Sequence, residues 1–202
     1  MTKADYPSLE RIAQLQQFIA DFSRIDRVPQ LADTGRAEND VDHSYGLALT
    51  CWFLQPKIAP HLDLAKIFQY ALAHDTVEVH AGDTFVFAHK DELASKSERE
   101  DAAIEQLQTE WPDFTEMTTA AKGYKVKIDE EATFVYAVDK ILPVLMVNLG
   151  EKAEFWHRHK ITLQMEIDNK VTIKKSAIVA PYYQKLIDWL KEPDYMYPES
   201  PS

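Results

Sequence analysis

Glycine is scarce in this sequence, with five residues against ten prolines among 202. So few glycines argue against a β-rich fold with many tight turns, and against glycine-rich phosphate-binding loops. The single cysteine, Cys51, cannot form an internal disulfide and is predicted to be a small buried side chain. The sequence contains no window of about 18 apolar residues, so no transmembrane helix is expected. The N-terminus also lacks the apolar stretch of a signal peptide. These absences predict a cytoplasmic protein.

Basic residues are also few, with 22 Lys and Arg against 33 Asp and Glu, which gives a net charge of −11. A surface this acidic does not favour binding of long nucleic acid, whose affinity comes largely from neutralised phosphates. An acidic protein that handles a phosphate needs a local cation at its site, which can be Arg, Lys or a bound metal.

Apolar residues recur at three- and four-residue spacing along most of the chain, which is typical of amphipathic helices. We predict an all-α fold, with residues 1–202 forming a single domain. Its core covers about 8–150, and additional helices cover about 160–191. Ser8 is the predicted N-cap of the first helix. The predicted helices of the core cover approximately residues 8–25, 42–55, 62–73, 90–111, 114–123 and 130–149.

Several polar and proline-containing segments are predicted to interrupt these helices. Residues 27–41 are expected to form a loop, with Asp42 as the N-cap of the next helix. Pro56 is expected to end that helix, and Pro143 to kink or divide the helix that contains it. The segment after Pro193 is predicted to be a loosely attached tail.

Four His and Asp residues lie in these apolar helices and are candidate metal ligands. His74 and Asp75 are adjacent at the end of one helix, while His43 and Asp139 each lie on another. A carboxylate in an apolar helix needs a partner. Imidazole and carboxylate together suit a divalent ion such as Mn²⁺, Co²⁺, Fe²⁺, Zn²⁺ or Mg²⁺. A water on such an ion can become a nucleophile near neutral pH.

Each of these residues also has an ordinary structural interpretation. A single His on an apolar helix is more often a hydrogen-bonded core residue than a ligand. Asp139 could form a surface pair with Lys140, and His74-Asp75 could face water at a helix end. The prediction of a metal site therefore depends on all four residues occurring together in apolar helices.

The order His43, then His74-Asp75, then Asp139-Lys140 resembles the HD-domain superfamily of metal-dependent phosphohydrolases. Glu38-Asn39 with His43-Ser44 is similar to the first motif of that superfamily. His74-Asp75 with Glu78 and Gly82-Asp83 resembles its 5′-deoxynucleotidase branch. The similarity covers roughly residues 20–150. It implies a helical bundle with one divalent ion at its centre, held by His43, His74, Asp75 and Asp139.

The resemblance also implies roles for residues around the metal. Glu78 corresponds to a general acid or base, and Asp83 to a residue that contacts the sugar of a nucleotide; Asp83 could equally be an N-cap or turn residue. An upstream Arg holds the phosphate in that branch, and here Arg27 and Arg36 are both candidates. The branch has an aromatic residue beside this Arg, whereas this sequence has Val28, so the difference puts the substrate in doubt more than the metal.

The sequence thus predicts an enzyme that removes phosphate from a nucleoside 5′-monophosphate, with a deoxynucleotide as the expected substrate. Two alternatives stay open. An HD-type site with extra ligands from His80 or His89 could cleave phosphodiesters or pyrophosphates, or hold two irons and oxidise its substrate. Alternatively, the fold could be a non-catalytic nucleotide-binding regulator. The expected partner is a small nucleotide rather than long nucleic acid or a membrane. A homodimer is also considered, through the C-terminal aromatic residues Tyr182, Tyr183 and Trp189.

Overall fold

The computed structural model describes residues 6–31 and 34–199 and confirms the all-α prediction, with one small hairpin added. The buried hydrophobic residues form one cluster that extends from the first helix to the C-terminal segment. The division into a single domain stays a prediction. The elements are α1 Leu9–Phe22, β1 Asp26–Gln30, β2 Ala37–Asn39, α2 Asp40–Ile58, α3 Leu64–Ala73, α4 Glu78–Ala81, α5 Lys90–Glu110, α6 Thr115–Val126, α7 Glu130–Leu149, α8 Ala153–Arg158, α9 Leu163–Asn169, a 3₁₀ helix Val171–Lys175, and α10 Ala180–Leu190.

Helix α7 lies at the centre of the molecule and packs against α2, α3, α6 and β1. The apolar residues on its inner face, including Phe134, Val135 and Val138, are almost completely buried. Among the described residues, α7 is the one helix long and apolar enough to cross a membrane, with a mean hydropathy of 1.5. Half of that stretch is buried inside the protein, as expected for a core helix.

The prediction of a loop over residues 27–41 is wrong in part, because β1 and β2 pair there as an antiparallel hairpin. Asp26 lies opposite Asn39, and Gln30 lies opposite Ala37. The strands are too short and too polar to show an alternating pattern, and Pro29 also weakens the strand signal. The hairpin packs on α7 and thereby holds Arg27 and Glu38 beside the centre of the fold.

The start of α2 also differs from the prediction. Asn39, rather than Asp42, is the N-cap: its side chain accepts from the Asp42 N–H, and Asp42 bonds back to Asn39 in a capping box. Pro56 does not end this helix, which continues to Ile58. Because Pro56 lies in the last turn, its missing N–H weakens only the end of a helix that packing on α3 stabilises.

Pro143 neither divides nor ends α7, which runs unbroken from Glu130 to Leu149. A proline lacks the N–H that would bond to the carbonyl four residues earlier, which here is that of Asp139. The burial of α7 on several neighbours compensates for the lost bond.

The C-terminal segment is attached more firmly than the sequence suggests. The Tyr197 N–H donates to the Ile161 carbonyl at 3.1 Å, and Met196 is only 8% exposed. Tyr183 is also buried, and its hydroxyl donates to the Glu166 carbonyl, whereas Trp189 is 54% exposed. Of the aromatic residues considered for a homodimer, Tyr183 therefore packs on its own chain, and the dimer itself stays a prediction.

Candidate metal centre

Three helices bring the four candidate ligands together. His43 comes from α2, His74 and Asp75 follow the end of α3, and Asp139 comes from α7. The His43 Nε2 atom lies 2.9 Å from Asp139 Oδ1, and His74 Nε2 lies 2.9 Å from Asp75 Oδ2. His43, His74 and Asp139 are each at most 4% exposed. The ordinary interpretations, a surface pair or a water-facing helix end, do not describe these positions.

The donor atoms of this cluster fit a metal ion. One donor atom from each of His43, His74 and Asp75 lies within 4.8 Å of the others. His74 Nδ1 lies 2.9 Å from the Ala71 carbonyl, which fixes the ring and directs Nε2 into the cluster. Among the described residues, this buried Nε2 has no hydrogen-bond partner, since its contact with Asp75 has poor hydrogen-bond geometry. A coordinated cation satisfies such an atom.

A second layer of polar groups holds the ligands in place. His43 Nδ1 lies 3.5 Å from Glu38 Oε2, so its Nε2 atom stays directed at the cluster. The Tyr124 hydroxyl donates to Asp139 Oδ2 at 2.6 Å, and the Lys140 ammonium lies 2.8 Å from the same oxygen. Burial opposes ionisation of Asp139, but Lys140 and the His43 hydrogen bond outweigh it and hold its pKa well below the usual range.

Arg27 on β1 provides a fixed positive charge beside the cluster. Its guanidinium lies 2.7 Å from Asp75, 3.2 Å from Asp40 and 3.4 Å from Glu38. The second candidate, Arg36, is half exposed and pairs with Asp42 at 2.7 Å. The structure therefore brings Arg27, and not Arg36, into the site.

Glu78 and Asp40 form a carboxylate pair beside Asp75. Glu78 is 5% exposed and Asp40 is fully buried. Burial, followed by the charges of Asp75 and Asp40, raises the pKa of Glu78 well above its usual value. Burial and Asp75 likewise raise the pKa of Asp40 to about 6. Carboxyl groups in such an environment can hold and release a proton near neutral pH.

Asp83 lies in the segment that joins α4 to α5. Gly82 ends α4 with φ +72°, and α5 begins only at Lys90, so Asp83 is not a helix N-cap. Arg99 on α5 holds this segment by donating to the Ala81 carbonyl and, at 2.7 Å, to the Thr84 hydroxyl. Burial raises the pKa of Asp83, and the Arg27 charge opposes that shift. Asp83 is thus electrostatically coupled to the site.

Comparisons with known proteins agree with this geometry. Residues 24–180 match the HD domain family. The chain belongs to the HD-domain family. Its fold is similar to the crystal structure of a predicted metal-dependent phosphohydrolase from Magnetospirillum magnetotacticum MS-1, with a TM-score of 0.79 and 27% identity. That similarity covers 93% of this chain and 96% of the other. No curated protein matches the sequence.

Together these matches support a metal-dependent phosphohydrolase of the HD type. The histidines considered as extra ligands of this HD domain lie elsewhere. His80 is exposed and pairs with Glu110 at 2.9 Å, and His89 is an exposed residue at the start of α5. A second cation would have to bind at the neighbouring carboxylates Asp40, Asp75 and Glu78. Arg27 already contacts two of them, Asp40 and Asp75.

Two polar residues of the HD domain site were not identified from the sequence. Asp40 lies one helical turn before His43, so helical spacing could have placed it on the same face. Tyr124 gave no such signal, because it comes from α6 and reaches Asp139 only through the packing of α6 on α7. Glu38 was noticed as part of a motif, but its contact with His43 requires the hairpin.

Proposed function

We propose that this HD domain hydrolyses nucleoside 5′-monophosphates, with deoxynucleotides as the preferred substrates. The observation that carries the proposal is the position of Arg27. Its guanidinium is only 13% exposed and lies 2.7 Å from the proposed ligand Asp75. The neighbouring acidic residues Asp40 and Glu78 make this positive charge stand out. A planar guanidinium suits a phosphate because it donates paired hydrogen bonds.

The proposed ligands of the divalent ion are His43, His74, Asp75 and Asp139. When bound there, the ion supplies positive charge for the phosphate and makes water more acidic. Arg27 exchanges part of its contact with the carboxylates for the phosphate oxygens, and so fixes the phosphorus relative to the ligands. The resident ion is one of the divalent metals that accept mixed imidazole and carboxylate ligands.

Glu78 is the proposed proton carrier. Its environment favours the protonated carboxyl group, which can donate a proton to the sugar oxygen that leaves. Asp40 faces Glu78 and can share that proton. Asp83 is close enough for the charge of Arg27 to act on it, and it is proposed to accept a hydrogen bond from the sugar hydroxyl.

A substrate panel tests this proposal. Metal-reconstituted protein is incubated with deoxy- and ribonucleoside monophosphates, and released phosphate is measured. We expect turnover of deoxynucleotides and a loss of it in the Asp75→Ala and Glu78→Ala variants. The exposed Glu98 on α5 provides the control Glu98→Ala. Absence of turnover with every metal would contradict the proposal and revive the non-catalytic regulator.

A further inference from the structure

A pocket of about 300 Å³ opens beside the metal centre, between α5, α6 and α7. The proposed ligands His74 and Asp75 form part of its wall. Four lysines line this lysine pocket as well: Lys96, Lys125, Lys127 and Lys140. In the part of the chain that the structure describes, Asp75 and Glu100 are its only acidic lining residues, although acids outnumber bases in the whole sequence. The lysine pocket therefore carries an excess of positive charge next to the metal.

Three of the four lysines already have carboxylate partners. The Lys96 and Lys125 ammonium groups lie 3.7 Å and 3.5 Å from Glu100. The Lys140 ammonium lies 2.8 Å from Asp139, one of the proposed ligands. These pairs reduce the charge that the three lysines can offer to a bound molecule.

Lys127 differs from these three lysines. Among the described residues its ammonium forms no ion pair, and it donates to the Lys125 carbonyl at 3.3 Å. It also lies 4.0 Å from the centroid of the Tyr136 ring. An ammonium on an aromatic face keeps its charge and its remaining N–H donors. Lys127 can therefore bind an anion without first giving up a carboxylate.

The Tyr136 ring connects Lys127 to the metal ligands. The Lys140 ammonium lies 5.2 Å from the centroid of the same ring and 2.8 Å from Asp139 Oδ2. The Tyr136 hydroxyl hydrogen-bonds to Thr172 at 2.8 Å, which holds the ring in place. Two ammonium groups at one ring repel each other, and an anion held beside them would offset that repulsion.

The backbone of Lys127 gives further support. Lys127 ends α6 with φ +54°, in the left-handed region. Glycine is the usual residue in this conformation, because a Cβ atom is disfavoured there. A role of the ammonium in binding accounts for a lysine at a position where glycine would be less strained.

We propose that the lysine pocket is a second phosphate-binding site beside the metal, in which Lys127 binds the phosphate group. The inference rests on the proposed function, because it assumes that a phosphomonoester arrives at the metal and that inorganic phosphate leaves it. Both are largely dianions near neutral pH. Both suit a lysine ammonium, which offers several N–H donors and a full positive charge. Arg27 lines a separate cavity with Asp83, so Lys127 is a further cation in addition to Arg27.

The lysine pocket also favours arrival of the substrate. A protein with a net charge of −11 repels a dianion in solution. A pocket lined by lysines attracts the dianion over a short range, and this attraction weakens as salt screens the charges. Capture of the phosphate should therefore depend on both Lys127 and ionic strength.

The test uses calorimetric titration of the metal-loaded protein with inorganic phosphate, at low and at high salt. No turnover is needed, because phosphate is the product of the proposed reaction. We expect Lys127→Met to weaken phosphate binding about tenfold, the effect of losing one charge-assisted hydrogen bond. We expect the same from Lys127→Gly, which suits the left-handed backbone and so keeps the fold. Added salt should weaken phosphate binding to wild type more than to either variant.

Lys122→Met is the matched control, because Lys122 is an exposed residue of the same helix outside the lysine pocket and its loss changes the net charge equally. It should leave the Kd for phosphate within about twofold, since solvent and salt screen an exposed charge. Circular dichroism checks that each variant folds. Unchanged phosphate affinity in folded Lys127→Met and Lys127→Gly would overturn the inference. So would an equal loss in Lys122→Met, because the effect would then come from net charge alone.

The two proposals can fail separately. If the wild-type protein releases phosphate from no nucleotide, the proposed function is wrong, while the titration still decides whether Lys127 binds phosphate. If nucleotides are hydrolysed, we expect Lys127→Met to raise KM about tenfold and to leave kcat within about threefold. Hydrolysis with unchanged KM and unchanged phosphate affinity in that variant would leave the function standing and show that the phosphate site at Lys127 is wrong.

Discussion

Arg27 shows how much of this site depends on a single side chain. One guanidinium contacts Glu38, Asp40 and Asp75, and therefore offsets several buried negative charges at once. Burial opposes its charge, but the surrounding carboxylates raise its pKa well above the usual value. It is a permanent cation in the position where we propose that the phosphate binds.

Replacing Arg27 with lysine tests this position. A lysine keeps the charge but loses the planar pair of donors. We expect kcat/KM for nucleoside monophosphates to fall roughly ten- to a hundredfold, the effect of losing a charge-assisted hydrogen bond. The matched variant Arg36→Lys, on the exposed side of the hairpin, should change it little. Equal losses in both variants would contradict the assignment of the phosphate to Arg27.

Glu78 provides a second test at the same scale. Glu78→Gln keeps the size of the side chain but removes the transferable proton. We expect kcat to fall about 10²- to 10⁴-fold, as for other general acids and bases. The bound metal, measured by elemental analysis, should stay unchanged because Glu78 is not a proposed ligand. A variant that retains wild-type kcat would show that the proton comes from another group.

At the scale of elements, the sequence predicted most helices because their apolar spacing is regular. Ser8 is the N-cap of α1 as predicted, and its side chain accepts from the Arg11 N–H. The hairpin β1–β2 could not be predicted, since its two strands have only five and three residues and are largely polar. The helix breaks that were predicted at the prolines are wrong for a different reason. Tertiary packing of α2 and α7 outweighs the local cost of Pro56 and Pro143.

Asp129, the N-cap of the central helix α7, gives a prediction about stability. Its carboxylate accepts from the Ala132 N–H and from the Tyr70 hydroxyl. Asp129→Ala should cost about 1 kcal/mol and lower Tm by about 2–4 °C. The exposed Asp168 provides the control Asp168→Ala, which should lower Tm less. Tm is measured by differential scanning calorimetry.

The same residue predicts a dependence on pH. Burial opposes its ionisation, but hydrogen bonds from Ala132 and Tyr70 prevail and lower the pKa of Asp129. A carboxylate with a lowered pKa stabilises the fold above its unfolded pKa of about 3.9, and this contribution is lost as the pH falls through the folded pKa. The Tm difference between wild type and Asp129→Ala should therefore shrink below about pH 4. A difference that grows in acid would contradict this account.

At the scale of the whole molecule, the candidate site joins segments that are distant in sequence. The order of His43, His74-Asp75 and Asp139 allowed the family to be predicted, because each residue lies in an apolar helix or directly after one. The supporting contacts could not be predicted in the same way. Tyr124 and Arg27 reach the ligands only after α6 and the hairpin have packed on α7.

Metal removal should destabilise the whole fold. His74 Nε2 lies 2.9 Å from Asp75 Oδ2 and 3.9 Å from Asp139 Oδ1, so both carboxylates lie near the same ring nitrogen, and a cation bound there would offset their charges. A ligand present at 100 times its Kd contributes about 2.7 kcal/mol, so a chelator should lower Tm by roughly 5–10 °C. Readdition of the metal should restore it. An unchanged Tm after complete removal would show that the ion does not bind the folded state at this cluster.

The central claim is that His43, His74, Asp75 and Asp139 hold one divalent ion. The most direct test is the metal content per chain, measured by inductively coupled plasma mass spectrometry on purified wild type, His74→Gln and Asp75→Asn. His80→Gln is the control, because His80 pairs with Glu110 outside the cluster. We predict one ion per chain in wild type and control, and near-complete loss in the two ligand variants. Retention of the full metal content by folded His74→Gln and Asp75→Asn would contradict the account.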